Sequence, residues 1–391
     1  MPAAPFTVHV PDDVLDDLAA RLARSRFPTR TAPGWRAGTD PDYLRELVAY
    51  WRDGFDWRAR ERELNAFPQY TAEIDGRLVH FVHLRAATED AENAAPPLPL
   101  ILTHGWPSSF VEMLPLARLL ADPAAHGAPP RTRAFDVVIP SLPGFLFSEA
   151  PAPSAATADR TAATWAKLMT EVVGYDRFGA YGGDVGSHVT DYLAAGHPDA
   201  VAGMYTHHPC LHPAHPENPP LSDSEAAYLA ARAAQPDDDS AYGAIQSTRP
   251  DTVAAALLDS PSGLAAWIVE KYRAWGDCDG DLETRFDKDL LLTVITLYWA
   301  TASIGTSFRP YYDDEHTPPL PPVTVPAGIT LTREDAGYPR EFAQRTYRDL
   351  RTWRETDVGR HFLPLEEPAL IARHLRDFFG GLGWHPTAHH P

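Results

Sequence analysis

Cysteine and basic side chains are both scarce in this chain. Among its 391 residues only Cys210 and Cys278 are cysteines, and they lie far apart and in no metal-binding spacing. The sequence therefore predicts a reducing compartment and no disulfide framework. Lys and Arg number 34 against 53 Asp and Glu, which gives a net charge of −19. This acidity argues against nucleic-acid binding and against a polybasic membrane contact.

Long apolar runs are missing as well. The longest stretch without a charged residue, 290–308, contains several Thr and Ser residues, which favours a buried helix over a membrane span. Residues 1–5 have neither the basic segment nor the apolar segment of a secretory signal. We therefore expect a soluble, cytoplasmic protein without a membrane anchor.

The apolar residues that are present, 44% of the chain, are enough for a large core and two or three structural units. Short apolar segments alternate with helical patterns, which is typical of a parallel sheet. Open sheets of this kind bind ligands at the carboxyl ends of their strands. The predicted strands are residues 98–103, 135–139, 178–182, 201–206, 323–331 and 351–356, and the predicted C-terminal helices are 340–350 and 368–379.

Two other parts flank and interrupt this alternation. The leading part carries an extended piece at 8–10, three amphipathic helices and a hairpin around Asp75 and Gly76. A helical pattern with polar breaks follows residue 207, and we interpret its acidic tripeptide 237–239 as a solvated loop. The expected division is an N-terminal segment at 1–95, a core at 96–207, a helical lid at 208–319 and the rest of the core at 320–391.

Residues 181–187, Tyr-Gly-Gly-Asp-Val-Gly-Ser, follow one of the predicted strands. Small residues on both sides of one reactive side chain are typical of a nucleophile elbow, a strained turn between a strand and a helix. The reactive residue is usually Ser, but here it is Asp184. Alternatively, this is a glycine-rich turn in which Asp184 only caps the helix, so the assignment depends on partners elsewhere.

Such a nucleophile is followed along the chain by an acid and then by a histidine base. His361 follows the predicted strands, and two acids, Glu334 and Asp335, precede it. The turn at 104–107, His-Gly-Trp-Pro, lies where these folds place half of an oxyanion hole, whose donors would be the backbone N–H groups of Trp106 and Val185. Alternatively, this is a proline-containing turn whose Trp106 side chain packs in the core. The two roles of Trp106, backbone donor and core side chain, are compatible.

An aspartate nucleophile decides the class of reaction. A carboxylate attacks an sp³ carbon without a base and leaves an alkyl ester, which water activated by His361 would then hydrolyse. An epoxide oxygen also needs a proton or strong hydrogen bonds as it leaves. The lid offers Tyr242 and Tyr311 as donors, although packing is the default role of a tyrosine.

At this point the residues amount to a family pattern: the chain resembles the microsomal-type epoxide hydrolases over nearly its whole length. This resemblance implies an α/β-hydrolase fold, a mostly parallel eight-stranded sheet flanked by helices, with an N-terminal extension and an inserted helical lid. The motifs that carry it are Arg-Phe-Pro at 26–28, Leu-Asn-Ala-Phe-Pro-Gln-Tyr at 64–70, His-Gly-Trp-Pro-Ser-Ser at 104–109, Pro-Ser-Leu-Pro-Gly-Phe at 140–145, Gly-Gly-Asp at 182–184, Ile-Gln-Ser-Thr-Arg-Pro-Asp-Thr at 245–252, Asp-Ser-Pro-Ser-Gly-Leu-Ala-Ala at 259–266, Gly-Arg-His-Phe at 359–362 and Glu-Glu-Pro at 366–368.

The resemblance also implies roles for individual residues. Asp184 would be the nucleophile, His361 the base, and Tyr242 and Tyr311 the pair that opens the ring. The acid falls on Asp335 when the strand at 323–331 is aligned without a gap, with Glu334 as the close alternative.

Four positions depart from the family pattern. Val185 stands where the family usually has Trp, which widens the expected pocket and removes a halide donor. Ser108 and Arg360 each replace a Gly, and the family's Phe-Pro is missing before the acid at 334–335.

We expect hydrolysis of an epoxide to a vicinal diol through an ester on Asp184, with a bulky secondary-metabolite or xenobiotic epoxide as one class of substrate. The expected partners are the epoxide and water, without a cofactor, a metal or nucleic acid. Alternatives are a haloalkane dehalogenase-like hydrolase and a non-catalytic binding protein of the same fold. The sequence leaves the oligomeric state open, with a homodimer as one option.

Overall fold

The structure is a computed structural model that describes residues 2–87, 96–129, 132–210, 218–234 and 240–384. The acidic tripeptide 237–239, interpreted above as a solvated loop, lies outside the described residues.

A single mixed sheet forms the centre of the molecule. Its order is β1-β2-β3-β5-β4-β6-β7-β8-β9, with β5, β4, β6, β7, β8 and β9 mutually parallel and β1, β2 and β3 antiparallel at one edge. The strands are β1 (Ala4–Phe6), β2 (Gln69–Ile74), β3 (Arg77–Leu84), β4 (Leu98–Thr103), β5 (Phe135–Pro140), β6 (Phe178–Gly182), β7 (Val201–Thr206), β8 (Val323–Leu331) and β9 (Tyr347–Glu355).

The central strands are buried along their whole length, because a parallel sheet is covered on both faces and its strands are continuous apolar runs. Every residue of β4, β5, β6 and β7 is buried. The helices that cover the sheet pack in pairs, α4 (Leu114–Ala121) on α15 (Pro368–Gly381) and α5 (Ala158–Lys167) on α6 (Val185–Gly196). The remaining helices are α1 (Asp12–Leu22), α2 (Pro41–Asp53), α3 (Trp57–Leu64), α7 (Asp223–Ala234), α8 (Ala241–Thr248), α9 (Pro250–Asp259), α10 (Pro261–Trp275), α11 (Lys288–Thr301), α12 (Arg309–Asp313), α13 (Arg340–Gln344) and α14 (Leu363–Glu366).

The helices α7 to α12 all lie between β7 and β8 and interrupt the strand alternation there. The N-terminal helices pack against this insertion. The buried Trp51 indole of α2 donates a hydrogen bond of 3.0 Å to the Thr296 hydroxyl of α11, and the Tyr50 hydroxyl donates one of 2.8 Å to Asp289. The leading helices thus anchor one side of the inserted helices.

Two details differ from the sequence-based expectations. The sheet has nine strands among the described residues instead of eight, and β1 is the additional one. The piece at 8–10, predicted as extended, lies outside the sheet, and the side chains of Glu61 in α3 and of Asn65 directly after it take its backbone hydrogen bonds. The helix predicted at 340–350 is wrong beyond α13, since β9 starts at Tyr347 and its parallel pairing with β8 overrides helix propensity.

No single helix in the described ranges has the length and apolarity needed to cross a membrane, although two sharply bent helix pairs reach them in combination, α9 with α10 and α11 with residues 306–316.

Candidate active site

Asp184 lies with Gly183 between the end of β6 and the start of α6, and its φ is +53°. Left-handed backbone is unfavourable for a residue with a Cβ, and it persists only where the surroundings enforce it. Glycines make this turn tight. A Cβ on Gly182 would overlap the backbone of Gly186, and a Cβ on Gly186 would overlap the carbonyl of Thr103 on the neighbouring strand. The sharp turn therefore places Asp184 at the carboxyl end of β6.

The turn after β4 supplies donors to this carboxylate. The Trp106 N–H donates a hydrogen bond of 2.8 Å to Oδ1 of Asp184, and the Val185 N–H donates to the same carboxylate. The His104 ring holds this turn in place through both of its nitrogens. Its Nε2 accepts a hydrogen bond of 3.1 Å from the Leu142 N–H, so the proton of the ring is on Nδ1. Nδ1 donates this proton to the Gly105 carbonyl at 3.0 Å. The predicted pair of N–H donors is thus aimed at one carboxylate.

His361 lies beside Asp184. Its Nε2 is 3.5 Å from Oδ2 of Asp184, and its Nδ1 is 3.7 Å from Oε2 of Glu334. These separations exceed a hydrogen-bond length, and contacts of this kind commonly tighten once substrate is bound. The imidazole therefore has one carboxylate facing each of its ring nitrogens, Asp184 at Nε2 and Glu334 at Nδ1.

The structure places Glu334, and not Asp335, against the imidazole. The two residues are adjacent in a short helical turn, Arg333–Asp335, so their side chains point in different directions. The Asp335 carboxylate turns back to cap that turn and accepts from the Thr332 N–H at 3.3 Å. The sequence-based preference for Asp335 as the partner of His361 therefore fails on geometry, and the close alternative, Glu334, occupies the position.

The charges of this group stabilise one another. Burial lowers the pKa of His361, but the Asp184 and Glu334 carboxylates outweigh this and raise it to about 10. Burial likewise raises the pKa of Asp184, yet His361 and the two backbone N–H donors bring it down to about 2. The pKa of Glu334 is lowered as well, because its contacts with His208 and His361 outweigh its burial. At neutral pH the free site thus holds an imidazolium between two carboxylates.

Two tyrosines of the inserted helices face this group. Tyr242 on α8 stacks flat on the Trp106 indole, with ring centroids 5.2 Å apart, and Tyr311 on α12 meets the same indole edge-on at 6.0 Å. The two phenol rings are 5.9 Å apart. Burial, the Asp184 charge and Tyr242 raise the pKa of Tyr311 well above its usual value, so its hydroxyl stays protonated.

All of these side chains open onto one cavity of about 1380 Å³. Its wall includes Asp184, His361, Glu334, Tyr242 and Tyr311. Such a volume exceeds that of typical small-ligand pockets, which is about 300–1,000 Å³. The predicted site residues thus face the same space.

Sequence reasoning missed His207 and His208, which come directly after β7 and contact the site. His207 Nε2 lies 3.0 Å from the backbone carbonyl of His361, and His208 Nδ1 lies 2.8 Å from the backbone nitrogen of Asp184. Their position at the carboxyl end of a parallel strand was a signal that could have identified them.

His208, Glu334 and His361 are also close enough together to be considered as metal ligands. The hydrogen bond from the Asp184 N–H to Nδ1 of His208 argues against that role. A neutral imidazole that accepts at Nδ1 carries its proton on Nε2, and this proton occupies the position that a metal would need.

Known proteins were compared with the chain as a whole. Epoxide hydrolase 1 of Sus scrofa is 33% identical over 419 residues, covering 96% of this chain and 88% of the pig protein. The chain belongs to the epoxide hydrolase family. A Stigmatella aurantiaca protein whose name places it provisionally among the epoxide hydrolases is 41% identical over 378 residues, 96% of this chain and 84% of that protein.

The fold agrees with this membership. The Aspergillus niger epoxide hydrolase structure superposes with a TM-score of 0.82 at 32% identity, covering 98% of this chain and 97% of the other. Residues 3–113 match the family model for the epoxide hydrolase N terminus, and residues 99–242 match that for the α/β hydrolase fold. The predicted epoxide hydrolase family and α/β-hydrolase fold are therefore confirmed. Members of the epoxide hydrolase family are enzymes that hydrolyse epoxides to diols.

Proposed function

We propose that this epoxide hydrolase forms a covalent ester between Asp184 and one epoxide carbon and then hydrolyses that ester to release a vicinal diol. The observation that carries the proposal is the position of Asp184. Its carboxylate accepts two backbone N–H groups, has an imidazole beside it, and opens onto a cavity whose wall also includes the phenols of Tyr242 and Tyr311.

In the first step an Asp184 oxygen attacks an epoxide carbon and the ring C–O bond breaks. Tyr242 and Tyr311 donate to the leaving oxygen, and one phenol transfers its proton to give the alcohol. Attack converts the charged Asp184 carboxylate into a neutral ester, which removes one of the two charges that hold the proton on His361. That proton returns to the phenolate through solvent, and His361 becomes neutral.

In the second step neutral His361 takes a proton from water, and the water oxygen attacks the carbonyl carbon of the ester. The oxyanion that develops is held by the N–H groups of Trp106 and Val185, which already contact this carboxyl group. The ester C–O bond then breaks, and the departing diol oxygen takes the proton of the new carboxyl group. The site returns to its starting charges.

We propose Glu334 as the acid of this group and residues 208–319 as a lid that carries the two phenols. The cavity volume supports a bulky epoxide as substrate. The two core segments at 96–207 and 320–391 would then supply the nucleophile, the acid and the base.

Single turnover in water enriched in oxygen-18 tests the covalent route. With enzyme in excess over the aryl epoxide styrene oxide, the diol of the first turnover should contain no label, because its new oxygen comes from Asp184. The peptide containing Asp184 should gain one heavy oxygen by mass spectrometry. Label in the first diol would mean that water attacks the epoxide directly.

The role of the phenols is tested by replacing Tyr242 and Tyr311 with Phe, singly and together. We expect each single change to slow ester formation and the double change to reduce it by about 10²-fold or more, since both proton donors are gone. Stopped-flow kinetics of the first step measures this. Unchanged ester formation in the folded double variant would rule out ring opening by this pair.

Halide release is the discriminating test for a dehalogenase. The Val185 side chain offers no N–H to a halide ion, so we expect no release from chlorinated alkanes under conditions in which epoxides are consumed.

A further inference from the structure

His208 has two contacts that connect the nucleophile to the acid. It follows β7, and its ring lies between those of His207 and His361, with centroid distances of 4.3 Å and 4.6 Å. Its Nδ1 lies 2.8 Å from the backbone nitrogen of Asp184, and its Nε2 lies 3.8 Å from Oε2 of Glu334. The side chain is only 18% exposed.

The hydrogen bond to Asp184 determines where the His208 proton is. A backbone N–H can only donate, so Nδ1 must accept and cannot carry a proton. The ring is therefore neutral, with its proton on Nε2. This state also avoids a second positive charge 4.6 Å from the His361 ring, which is protonated in the free site.

The Nε2–H group of His208 faces one acceptor among the described residues, the Glu334 carboxylate. Among the described residues no acceptor lies within hydrogen-bond distance of this buried nitrogen, and the Glu334 carboxylate is the acceptor that it faces. Nδ1 of His361 approaches the same oxygen, Oε2, at 3.7 Å. The same carboxylate oxygen thus faces one nitrogen of each ring.

The second Glu334 oxygen is held separately. The Arg360 guanidinium lies 3.2 Å from Oε1 and is itself tied by hydrogen bonds of 3.3 Å to the carbonyls of Ala274 and Gly276. With Oε1 held by Arg360, the direction of Oε2 is the remaining freedom of the carboxylate.

We infer that His208 is a positioning residue: as a neutral Nε2–H donor it directs Oε2 of Glu334 towards His361, while its Nδ1 holds the backbone of Asp184. The inference rests on the proposed function, because its effect is on the hydrolysis of the Asp184 ester. Ester formation does not need Glu334 to activate His361, so loss of the His208 donor should slow the second step selectively.

Two substitutions separate the two contacts. In His208→Asn the shorter amide can still accept from the Asp184 N–H but no longer reaches Glu334. In His208→Gln the amide nitrogen occupies the place of Nε2 and retains the donor. His197→Asn, a change at the far end of α6 about 18 Å from the elbow by helix length, is the matched control.

The experiment measures both half-reactions with styrene oxide, by rapid acid quench and mass spectrometry of the Asp184 peptide. For His208→Asn we expect ester formation within about twofold of wild type and ester hydrolysis slowed about tenfold or more. His208→Gln should restore hydrolysis to within a few-fold of wild type, and His197→Asn should match wild type in both steps. The steady-state fraction of esterified Asp184 should be higher in the Asn variant than in wild type, His208→Gln and His197→Asn.

A double-substitution cycle provides a second measurement. If His208 acts through Glu334, His208→Asn should cause no further loss of ester hydrolysis in a Glu334→Gln background. Hydrolysis at the wild-type rate in His208→Asn, or equal loss of both steps in the Asn and Gln variants, would overturn the inference. Absence of any ester in the wild-type enzyme would instead refute the proposed function, so the two failures are distinguishable.

Discussion

Replacement of Asp184 by Asn should lower the pKa of His361, and the structure gives the size of the effect. Nε2 of His361 is 3.5 Å from Oδ2 of Asp184. At an effective dielectric constant of about 20, opposite charges at this distance interact by about 5 kcal/mol, which corresponds to about 3.5 pKa units. Because the pKa of His361 is raised to about 10 in the intact site, the variant should titrate near the usual value of about 6.5.

The measurement is an NMR titration of histidine Cε1–H signals in isotope-labelled protein, with the His361 signal assigned from a His361→Gln variant. Asp335→Asn is the control, because its carboxylate caps the Thr332 turn and does not contact the imidazole. The pKa of His361 should stay within about half a unit of wild type in that control. Equal His361 titration in wild type and Asp184→Asn would refute the ion-pair account of the site.

A stability measurement checks the same reasoning. The folded-state pKa of His361 lies above its unfolded value of about 6.5, so its ion pairs stabilise the folded chain fully below that pH. The contribution is lost as the pH rises through about 10. Between these values the melting temperature of wild type should fall more steeply with pH than that of Asp184→Asn. Asparagine reproduces the charge of the ester, so this comparison also reports the drop in pKa that makes His361 a base.

Two further predictions concern Glu334 and the inserted helix α7. Glu334→Gln should reduce kcat by about 10²-fold or more, whereas Asp335→Asn should reduce kcat by less than tenfold. The reason is that, of these two carboxylates, Glu334 is the one that faces His361. The opposite ranking of the two variants in steady-state kinetics would restore Asp335 as the acid. Glu225→Gln should lower the free energy of unfolding by about 3 kcal/mol, because it leaves the buried Arg345 charge unpaired. The two side chains are bonded at 2.5 and 2.6 Å and are 2% and 9% exposed, and urea denaturation at neutral pH would show no change if the pair were dispensable.

The parts of the site that depend on topology could be predicted from the sequence. β4, β6 and β7 are short apolar runs bounded by turn residues and buried on both faces, so the apolar pattern of the sequence predicts their positions. Parallel strands end at the same edge of a sheet, and this brought the elbow, the oxyanion turn and the histidine loop together in principle.

The choice between Glu334 and Asp335 could not be made from the sequence. Adjacent residues in a 3-10 turn point about 120° apart, so a shift of one residue decides which carboxylate meets the imidazole. The contacts of His208 also depend on distances between three separate loops. No periodicity in the chain encodes such distances, because they arise only when the ends of several strands are packed together.

The flat stack of Tyr242 on Trp106 has a consequence for how readily Asp184 is alkylated by compounds other than the substrate. An exposed carboxylate nucleophile is vulnerable to stray electrophiles, and an ester that cannot be hydrolysed would inactivate the protein. Here Trp106, whose backbone N–H donates to Asp184, also packs through its indole against Tyr242 of the inserted helices. In the mechanism proposed above, proton donation to the leaving oxygen therefore depends on those helices lying over the strand ends, and an electrophile that reaches Asp184 without them receives no such help.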